Sequence, residues 1–395
     1  MRRRSILAGG VAGAAALLAG AAKAEAAPLA TSATAASTSV ADVPWASRSL
    51  RNLADPINLK IGSALYPQDI ETPSWAAIAG SQFSVVTPAN GMKWQVMEPT
   101  QGTYDWTQAD ELVNFAKANN QLVRGHCFVW HNQLPTWLTD GVSAGTITKT
   151  DLWDLLEARI FAEAGRYRGK IWQWDVANEF FTDSNPSGID QTNWWIVNAG
   201  ADIIPQAFKW AHAADPNALL FYNDYNIGGE DGSNAKFSAV YSYIQQLQSQ
   251  NVPIHGVGIQ GHLDTQYGWD PERLRQDIEA YAGLGIKIAI TEADVRTFVN
   301  TGTQVPTDNL ADFACSYEYS EMLKAALSVP ECISFTVWGF TDADSWVPSS
   351  FPGEGYADIY DVNQQPKSSY YALQSNLALG AYSAPRRVPT YQPRA

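Results

Sequence analysis

The chain has 395 residues, of which 46% are apolar, and it contains 15 Trp and 17 Tyr. That length allows one large domain or two ordinary ones, with a sizeable core. Its 26 basic and 40 acidic residues give a net charge of −14, which argues against nucleic acid as a partner because its phosphates would be repelled. The three cysteines (Cys127, Cys315 and Cys332) fit neither a disulfide framework nor a metal-binding spacing, so we expect free buried thiols.

The amino-terminal segment predicts export rather than folded structure. Arg2, Arg3 and Arg4 precede an apolar, alanine-rich run and then small residues around Ala24, which is the order of a twin-arginine signal peptide. We assign the signal to residues 1–27 and expect secretion without stable membrane insertion, because the run is short. We then expect an Ala/Ser/Thr-rich linker at residues 28–54, a single folded domain at 55–380 and a carboxyl-terminal tail at 381–395.

Strand-like and helix-like segments alternate along the predicted domain. Apolar runs predict eight strands, at residues 59–65, 83–87, 122–130, 171–176, 218–222, 256–260, 286–291 and 333–338. Between them, helical periodicity is clearest at residues 107–118, 151–167, 194–213, 235–248 and 271–282. Eight strand–helix units predict an α/β fold of the (β/α)8 TIM barrel type. A doubly wound open sheet is the alternative, but no Gly-rich phosphate loop follows the first strand.

Two of the predicted strands begin apolar and end in carboxyl groups. The fourth ends on Asn178 and Glu179, and the seventh ends on Glu292 with Asp294 just beyond it. Burying such groups costs free energy unless they are paired, although either strand alone could simply run out into a solvated loop. Because barrel enzymes carry their chemistry at the carboxyl ends of the strands, the two together predict a paired-carboxylate site.

Polar and aromatic side chains also follow nearly every other predicted strand. They are Asn90, Lys93, His126, Trp130, Tyr225, Gln260, His262, Trp338 and Trp346. Any one alone is more simply a packing residue, but unpaired polar groups that converge on one rim are hard to explain that way. Lys93 and Arg124 are the obvious cations, too few for a phosphate substrate. We therefore predict a neutral polyhydroxyl ligand, with no metal and no cofactor, because no metal-binding spacing is present.

Together these segments resemble glycoside hydrolase family 10, the endo-β-1,4-xylanases. The resemblance is carried by residues 87–94, 123–137, 174–179, 223–226, 258–262, 290–295 and 336–346, in the family's order. Its most specific pieces are Trp-Asp-Val-x-Asn-Glu, Arg-Gly-His-x-x-x-Trp-His-x-Gln-x-Pro-x-Trp and Val-Trp-Gly-x-x-Asp-x-x-Ser-Trp. The resemblance implies a retaining endo-xylanase that acts on xylan and xylo-oligosaccharides, and we expect it to be a monomer.

The resemblance also implies a role for each site residue. Glu179 would be the acid/base and Glu292 the nucleophile, while Asn178 would hold the 2-hydroxyl of the sugar at the cleavage point. His262 and Asp294 look like the pair that positions and ionises the nucleophile. The other matched residues resemble glycone-side sugar contacts (Asn90, Lys93, His126, Trp130, Gln260, Trp338 and Trp346) and an aglycone-side platform (Tyr225).

The second strand departs from the family pattern. Ala89 and Gly91 flank Asn90 at positions where the family usually has Glu. The first change removes a hydrogen-bond acceptor for the second sugar on the glycone side, and a hydrogen bond to a charged group contributes roughly 1.5–3 kcal/mol. We therefore expect that sugar to bind more weakly or with a different specificity, while the reaction type stays unchanged.

Two other functions stay open from the sequence alone. A cellulase or mannanase type of retaining β-glycosidase would use the same barrel and the same carboxylates, so sugar release from xylan and from cellulose would separate the two. A sugar-binding protein that has lost catalysis should lack one carboxylate, whereas this chain keeps both Glu179 and Glu292.

Overall fold

The computed structural model describes residues 48–183, 185–385 and 387–388. The predicted signal segment, most of the predicted linker and much of the predicted tail lie outside the described residues. The fold begins earlier than the predicted boundary at residue 55. A helix at Leu50–Ala54, capped by the Ser49 side chain, buries Leu50 and Leu53. It belongs to the domain because it packs against the last long helix of the chain.

Eight parallel strands close into a barrel, which confirms the predicted (β/α)8 TIM fold. In chain order, β1 to β8 span Lys60–Leu65, Val85–Pro88, Leu122–Val129, Gln173–Asn178, Leu219–Asp224, Gly256–Ile259, Lys287–Asn300 and Cys332–Val337. Each strand pairs with the next, and β8 returns to β1 with Ser334 opposite Lys60. Because all eight strands run in one direction, their carboxyl ends form a single rim.

A long helix follows each strand and packs outside the barrel. The helices α1 to α8 span Pro73–Gln82, Thr107–Ala118, Lys149–Arg166, Ile203–Ala214, Ala235–Ser249, Pro271–Gly283, Ala311–Ser328 and Ser368–Ser383. Short helices lie at Asp55–Ile57, Pro67–Glu71, Trp94–Met97, Thr136–Ser143, Trp194–Ala199 and Val347–Ser350, and short strands at Phe181–Thr182, Asn185–Ile189, His262–Asp264, Val305–Pro306 and Glu354–Gly355. Within the described residues, no helix has both the length and the apolar character needed to cross a lipid bilayer.

The apolar core has two parts, one outside the strands and one inside the barrel. The outer part lies between the strands and the helices and is continuous around the barrel. The inner part is a cluster of Val85, Trp172, Phe221, Ala289 and Ile333, which come from the first halves of their strands or just before them. This packing closes the barrel near the amino ends of its strands and leaves the opposite rim for polar groups.

Two elements differ from the sequence prediction. The helix predicted at residues 194–213 is broken by Gly200, whose φ of 83° separates Trp194–Ala199 from α4. Glycine adopts that conformation without the steric penalty of a Cβ atom. The seventh strand, predicted to end at residue 291, continues to Asn300 and pairs beyond the barrel with His262–Asp264 and Glu354–Gly355. This extension raises one wall above the rim.

Candidate active site

A cavity of about 780 Å³ opens at the rim, and it is lined by residues from all eight strands or from the segments that follow them. Twelve of the predicted site residues are in its lining: Asn90, Lys93, His126, Trp130, Asn178, Glu179, Tyr225, Gln260, His262, Glu292, Trp338 and Trp346. The thirteenth, Asp294, contacts His262 and Trp346 from behind. The structure therefore brings together residues that are spread over most of the chain.

Glu179 lies just after β4 and is held by two neutral donors. The Trp130 indole N–H donates to Oε2 at 2.7 Å, and the Gln260 amide donates to Oε1 at 2.9 Å. The backbone of Glu179 has a φ of 59°, in the left-handed region. A side chain other than glycine pays a conformational cost there, and such strain occurs most often at functional sites. The geometry turns the carboxyl group into the cavity and fixes both of its oxygens.

Glu292 projects from β7 and accepts hydrogen bonds from charged and neutral donors. Its Oε1 lies 2.8 Å from the Asn223 amide and 3.3 Å from an Arg124 guanidinium nitrogen, and its Oε2 lies 3.5 Å from His262 Nε2. Burial alone would raise the pKa of Glu292. The hydrogen bond from His262 and the positive charges of His126, Arg124 and His262 outweigh burial and hold the pKa well below its usual range. Glu292 is therefore ionised at neutral pH.

Arg124, Asp175 and Asn223 form a network beneath Glu292 to which the sequence assigned no role. Arg124 is buried on β3 and pairs with Asp175 as well as with Glu292. His126 Nδ1 lies 2.9 Å from Asp175, so the Asp175 carboxylate contacts both Arg124 and His126, two of the groups that favour the ionised form of Glu292. The sequence contains these residues within its Arg-Gly-His and Trp-Asp motifs, which are the signal that could have identified the network. Their partnership depends on strand register, which places His126 opposite Asp175.

His262 and Asp294 form the pair that the family resemblance implies. His262 Nδ1 lies 2.9 Å from Asp294 Oδ2, and the Trp346 indole N–H donates to the same oxygen at 2.8 Å. Burial lowers the pKa of His262, but the two carboxylates of Asp294 and Glu292 outweigh it and raise the pKa to about 10. His262 is therefore a cation at neutral pH, held in place from behind by Asp294.

Asn178 presents an amide donor beside the two carboxyl groups. Its Oδ1 accepts from the Asn223 side chain at 2.8 Å. Its Nδ2 is buried and has no hydrogen-bond partner among the described residues. A buried donor without a partner costs free energy unless a ligand or water satisfies it. The arrangement leaves one N–H free for a hydroxyl group close to Glu292.

Aromatic rings form the side walls of the cavity. Lys93 Nζ lies 4.7 Å from the ring centroid of Trp130 and 5.8 Å from that of Trp338, and it donates to Asn90 at 3.1 Å. Burial lowers the pKa of Lys93. On another wall, the ring of Tyr225 covers the buried Lys236 ammonium at 3.3 Å. Flat apolar faces beside short hydrogen-bonding groups suit a chain of sugar rings.

The two departures beside Asn90 have different structural consequences. Gly91 faces α2, and a Cβ atom there would lie 3.2 Å from Gln108 Cβ, so this change reflects close packing against the helix. Ala89 is buried in a small cluster with Ala64 and Trp338, on which Trp346 also packs. The Ala89 change is therefore the one that alters the wall of the cavity.

The barrel and its site define a glycoside hydrolase. Two carboxyl groups on different strands share one aromatic-walled cavity, one of them ionised by cations and the other held by neutral donors. Glycosidases require such a pair, because the reaction needs an acid and a nucleophile or base. Across the described part of the chain, no group of three or more His, Cys, Asp or Glu side chains is arranged to hold a metal ion.

Comparison with known proteins agrees with this class. The model of the glycosyl hydrolase family 10 matches residues 49–376. Endo-1,4-beta-xylanase B of Thermotoga neapolitana is 36% identical over 336 residues, which cover 84% of this chain and 91% of that protein. The endo-1,4-beta-xylanase of Agaricus bisporus is 35% identical over 293 residues, which cover 74% of this chain and 83% of that protein.

Solved structures give the same relationship. Xylanase 10B from Thermotoga petrophila RKU-1, in complex with xylobiose, superposes with a TM-score of 0.78 at 35% identity and covers 84% of this chain and 98% of its own. Native xylanase 10B from Thermotoga maritima superposes with a TM-score of 0.77 at 35% identity and covers 84% of this chain and 99% of its own. This chain belongs to glycosyl hydrolase family 10, as its sequence motifs predicted.

Proposed function

We propose that the protein is an endo-β-1,4-xylanase that hydrolyses internal bonds of xylan with retention of anomeric configuration. The observation that carries the proposal is the unequal treatment of two carboxyl groups in one cavity. Glu292 is ionised by Arg124 and His262, whereas Glu179 is held by the neutral donors Trp130 and Gln260. Two carboxyl groups with different environments can divide the roles of nucleophile and acid. The xylanase names of the relatives support xylan as the substrate.

In the first step, the anomeric carbon exchanges one oxygen for another. A carboxylate oxygen of Glu292 attacks that carbon and forms a glycosyl ester, while the bond to the leaving sugar breaks. Glu179 donates its proton to the departing oxygen, so the aglycone leaves as a neutral alcohol. The low pKa of Glu292 keeps the nucleophile ionised for this attack.

In the second step, water replaces the enzyme at the same carbon. Glu179, now ionised, removes a proton from a water molecule, and the resulting hydroxide attacks the anomeric carbon as the ester bond to Glu292 breaks. Each step inverts the configuration, so the product retains the original one. Both carboxyl groups then return to their starting protonation states.

The surrounding residues bind the sugar and hold the reacting groups. We assign the free amide of Asn178 to the sugar 2-hydroxyl, since it is buried beside Glu292 without a partner. His262 and Asp294 keep Glu292 ionised and oriented. The glycone side is assigned to Asn90, Lys93, His126, Trp130, Gln260, Trp338 and Trp346, and the aglycone platform to Tyr225.

Product analysis tests this proposal directly. The purified protein should release xylo-oligosaccharides from arabinoxylan and glucuronoxylan much faster than it releases sugars from cellulose or mannan. Proton NMR of the first products should show the β-anomer before mutarotation. Faster release from cellulose or mannan would reassign the substrate, an α-anomer formed first would overturn the retaining mechanism, and binding without cleavage would end the proposal.

We also propose that the chain is exported as a folded monomer through its twin-arginine signal. Arg2, Arg3 and Arg4 followed by a short apolar run support it. Replacing Arg3 and Arg4 together by lysine should leave the activity inside the producing cells, whereas the unaltered chain should appear outside them. Light scattering on the exported protein should give the mass of a single chain. Unchanged export of the lysine variant, or a dimeric mass, would contradict this proposal.

A further inference from the structure

Tyr66 occupies the part of the cavity wall that the Ala89 change alters. It comes directly after β1, lines the cavity, and packs with Trp346 on the buried cluster of Ala64, Ala89 and Trp338. Ala89 precedes Asn90, at the position where the family usually carries a carboxylate for the second glycone sugar. A tyrosine therefore stands against the site of the missing acceptor.

The Tyr66 hydroxyl is free to bind a ligand. It makes no hydrogen bond to any of the described residues, although the side chain is half-buried. Burial, and then the nearby charges of Asp344, Asp69 and Asp358, raise the pKa of Tyr66 to about 12. The group is therefore a neutral phenol that can both donate and accept a hydrogen bond at any ordinary pH. Its ring offers a flat face beside Trp338 and Trp346.

The buried carboxyl group of Asp69, with the half-buried Asp344 beside it, holds Tyr66 in this position. The Tyr66 backbone N–H donates to Asp69 Oδ2 at 2.6 Å. The other oxygen of Asp69 has no donor among the described residues, and neither does Oδ2 of Asp344. The two carboxyl groups interact directly, which with burial raises the pKa of Asp69 to about 9. A proton shared between the two carboxyl groups would satisfy both oxygens.

The shared proton would link two segments of the rim. Asp69 lies three residues after Tyr66, in the short helix Pro67–Glu71 that follows β1, and Asp344 lies two residues before Trp346, in the loop that leaves β8. A hydrogen bond through a shared proton would fix Tyr66 and Trp346 relative to each other. Both aromatic side chains face the same part of the cavity.

We propose that Tyr66 binds the second sugar on the glycone side in place of the carboxylate that family members usually carry at position 89, and that the Asp69–Asp344 pair positions it. This inference rests on the proposed xylanase function. The hydroxyl supplies the hydrogen bond and the ring supplies an apolar face. A neutral donor and acceptor replaces a charged acceptor, so this subsite binds its sugar without a buried charge.

Two chromogenic substrates isolate this subsite. A 4-nitrophenyl β-xylobioside fills the first and second glycone subsites, whereas a 4-nitrophenyl β-xyloside fills only the first. Tyr66→Phe should lower kcat/KM for the xylobioside about 3- to 10-fold, the loss of one neutral hydrogen bond, and leave the xyloside unchanged. Tyr66→Ala should lower kcat/KM for the xylobioside further, because it also removes the ring. The measured readout is the ratio of kcat/KM for the xylobioside to kcat/KM for the xyloside. This ratio is independent of the folded fraction in each preparation.

A second pair of variants tests the positioning role. Asp69→Asn can still accept from the Tyr66 backbone and donate to Asp344, so it should keep the wild-type ratio. Asp69→Ala should lower the ratio toward that of Tyr66→Phe. As a matched control, Tyr267 lines the cavity after β6, and Tyr267→Phe should affect the two substrates equally.

The outcomes separate this inference from the proposed function. If the wild-type protein cleaves neither xyloside nor xylobioside, the xylanase assignment fails. If it cleaves both, and Tyr66→Phe lowers both equally or neither, Tyr66 is only a packing residue and the inference is wrong. If Asp69→Asn and Asp69→Ala give the same ratio, the shared proton does not position Tyr66.

Discussion

Two groups of buried carboxyl groups lie near the same rim, and the protein gives them opposite partners. The first group, the catalytic floor, consists of Glu292, Asp175 and Asp294, which contact the side chains of Arg124 and His262. The second group, the loop wall, consists of Asp69, Asp344 and Asp358. These carboxyl groups lie beside one another and beside Asp342.

The two groups differ in the pKa values that result. In the floor, the hydrogen bond and positive charges around Glu292 overcome burial and hold its pKa well below the usual range. In the wall, burial raises the pKa of Asp69 to about 9 and the pKa of Asp358 well above its ordinary value. Lys367 donates at 2.7 Å to Asp342, outside the wall, although its charge partly offsets the rise at Asp358.

The difference shows that cations, rather than burial, set apart the reactive carboxylate. Both groups are removed from water, and both are close to the sugar-binding walls. Desolvation alone makes a carboxyl group neutral, which suits a hydrogen-bonded link between loops. Contact with Arg124 and His262 keeps the carboxyl group of Glu292 ionised, and an anion of this kind is able to attack carbon. Carboxyl groups near the same rim are therefore kept as anions where cations contact them and become neutral where they do not.

The largest effect should come from deleting the ionised carboxylate of the floor. We expect Glu292→Ala to lower kcat on xylan by about 10⁴- to 10⁶-fold, as removal of a covalent nucleophile does in other enzymes. Sodium azide should restore cleavage of an aryl xylobioside, because azide fits the space of the missing carboxyl group. Azide in that space attacks the anomeric carbon directly and inverts its configuration once, so NMR should show an α-glycosyl azide.

Glu179→Ala is the matched control for this experiment. It keeps the nucleophile, so the covalent intermediate still forms from an aryl substrate whose leaving group needs no proton. Azide then attacks that intermediate in a second inversion and gives the β-glycosyl azide. Opposite products from the two variants are expected. The same configuration from both, or wild-type turnover by Glu292→Ala, would refute the assigned roles.

The next effect in size should come from removing a cation from the floor. Arg124→Met leaves Asp175 and Glu292 buried with fewer donors, and breaking a buried ion pair costs about 3–5 kcal/mol of unfolding free energy. Urea denaturation at pH 7 measures this loss. The difference in unfolding free energy between Arg124→Met and wild type should become smaller toward pH 4, because protonation removes the buried negative charge that has lost its partner.

Arg275→Met is the control for Arg124→Met. Arg275 pairs with Glu272 and Glu279 on the outer face of α6, where both carboxylates are exposed to solvent. Exposed pairs contribute little to stability, so this variant should unfold close to wild type. Equal losses for the two arginine variants would mean that the charges of the floor do not depend on Arg124.

The sequence predicted the floor better than the wall, for a physical reason. Glu179, Glu292 and their neighbours follow barrel strands, and parallel strands bring their carboxyl ends together whatever the loops do. The Arg124–Asp175 contact was missed only because it needs the register between β3 and β4. Strand ends and motifs therefore sufficed for the reacting groups.

The loop wall could not be predicted from the sequence in the same way. Asp69 and Asp344 are far apart in the chain. Asp69 lies in a short helix and Asp344 in a loop, and the paths of such connecting segments are set by packing rather than by a repeating pattern. Nothing in the spacing of Tyr66 relative to Ala89 shows that their side chains touch. The early start at Leu50 and the break at Gly200 likewise depend on tertiary packing and a single backbone angle.

An effect of opposite sign, a gain in stability, should come from Asp69→Asn in the wall. The folded pKa of Asp69 is about 9 and its ordinary value is 3.8. Between those values the folded chain holds a proton that the unfolded chain releases. The stability from this proton is complete below about pH 4 and is lost as pH rises toward 9. Asparagine mimics the protonated form at every pH, so the variant should melt several degrees higher than wild type at pH 8.

The melting difference should shrink as the pH falls toward 4, because Asp69 of the unfolded wild-type chain then begins to hold a proton as well. Calorimetry of the two proteins across pH 4 to 8 measures it, and other titrating groups cancel in the comparison. Asp69→Ala supplies the control, since it loses the link to Asp344 and should melt lower throughout. A melting temperature for Asp69→Asn below wild type at pH 8 would show that Asp69 is ionised, and that the wall, like the floor, is held by charge.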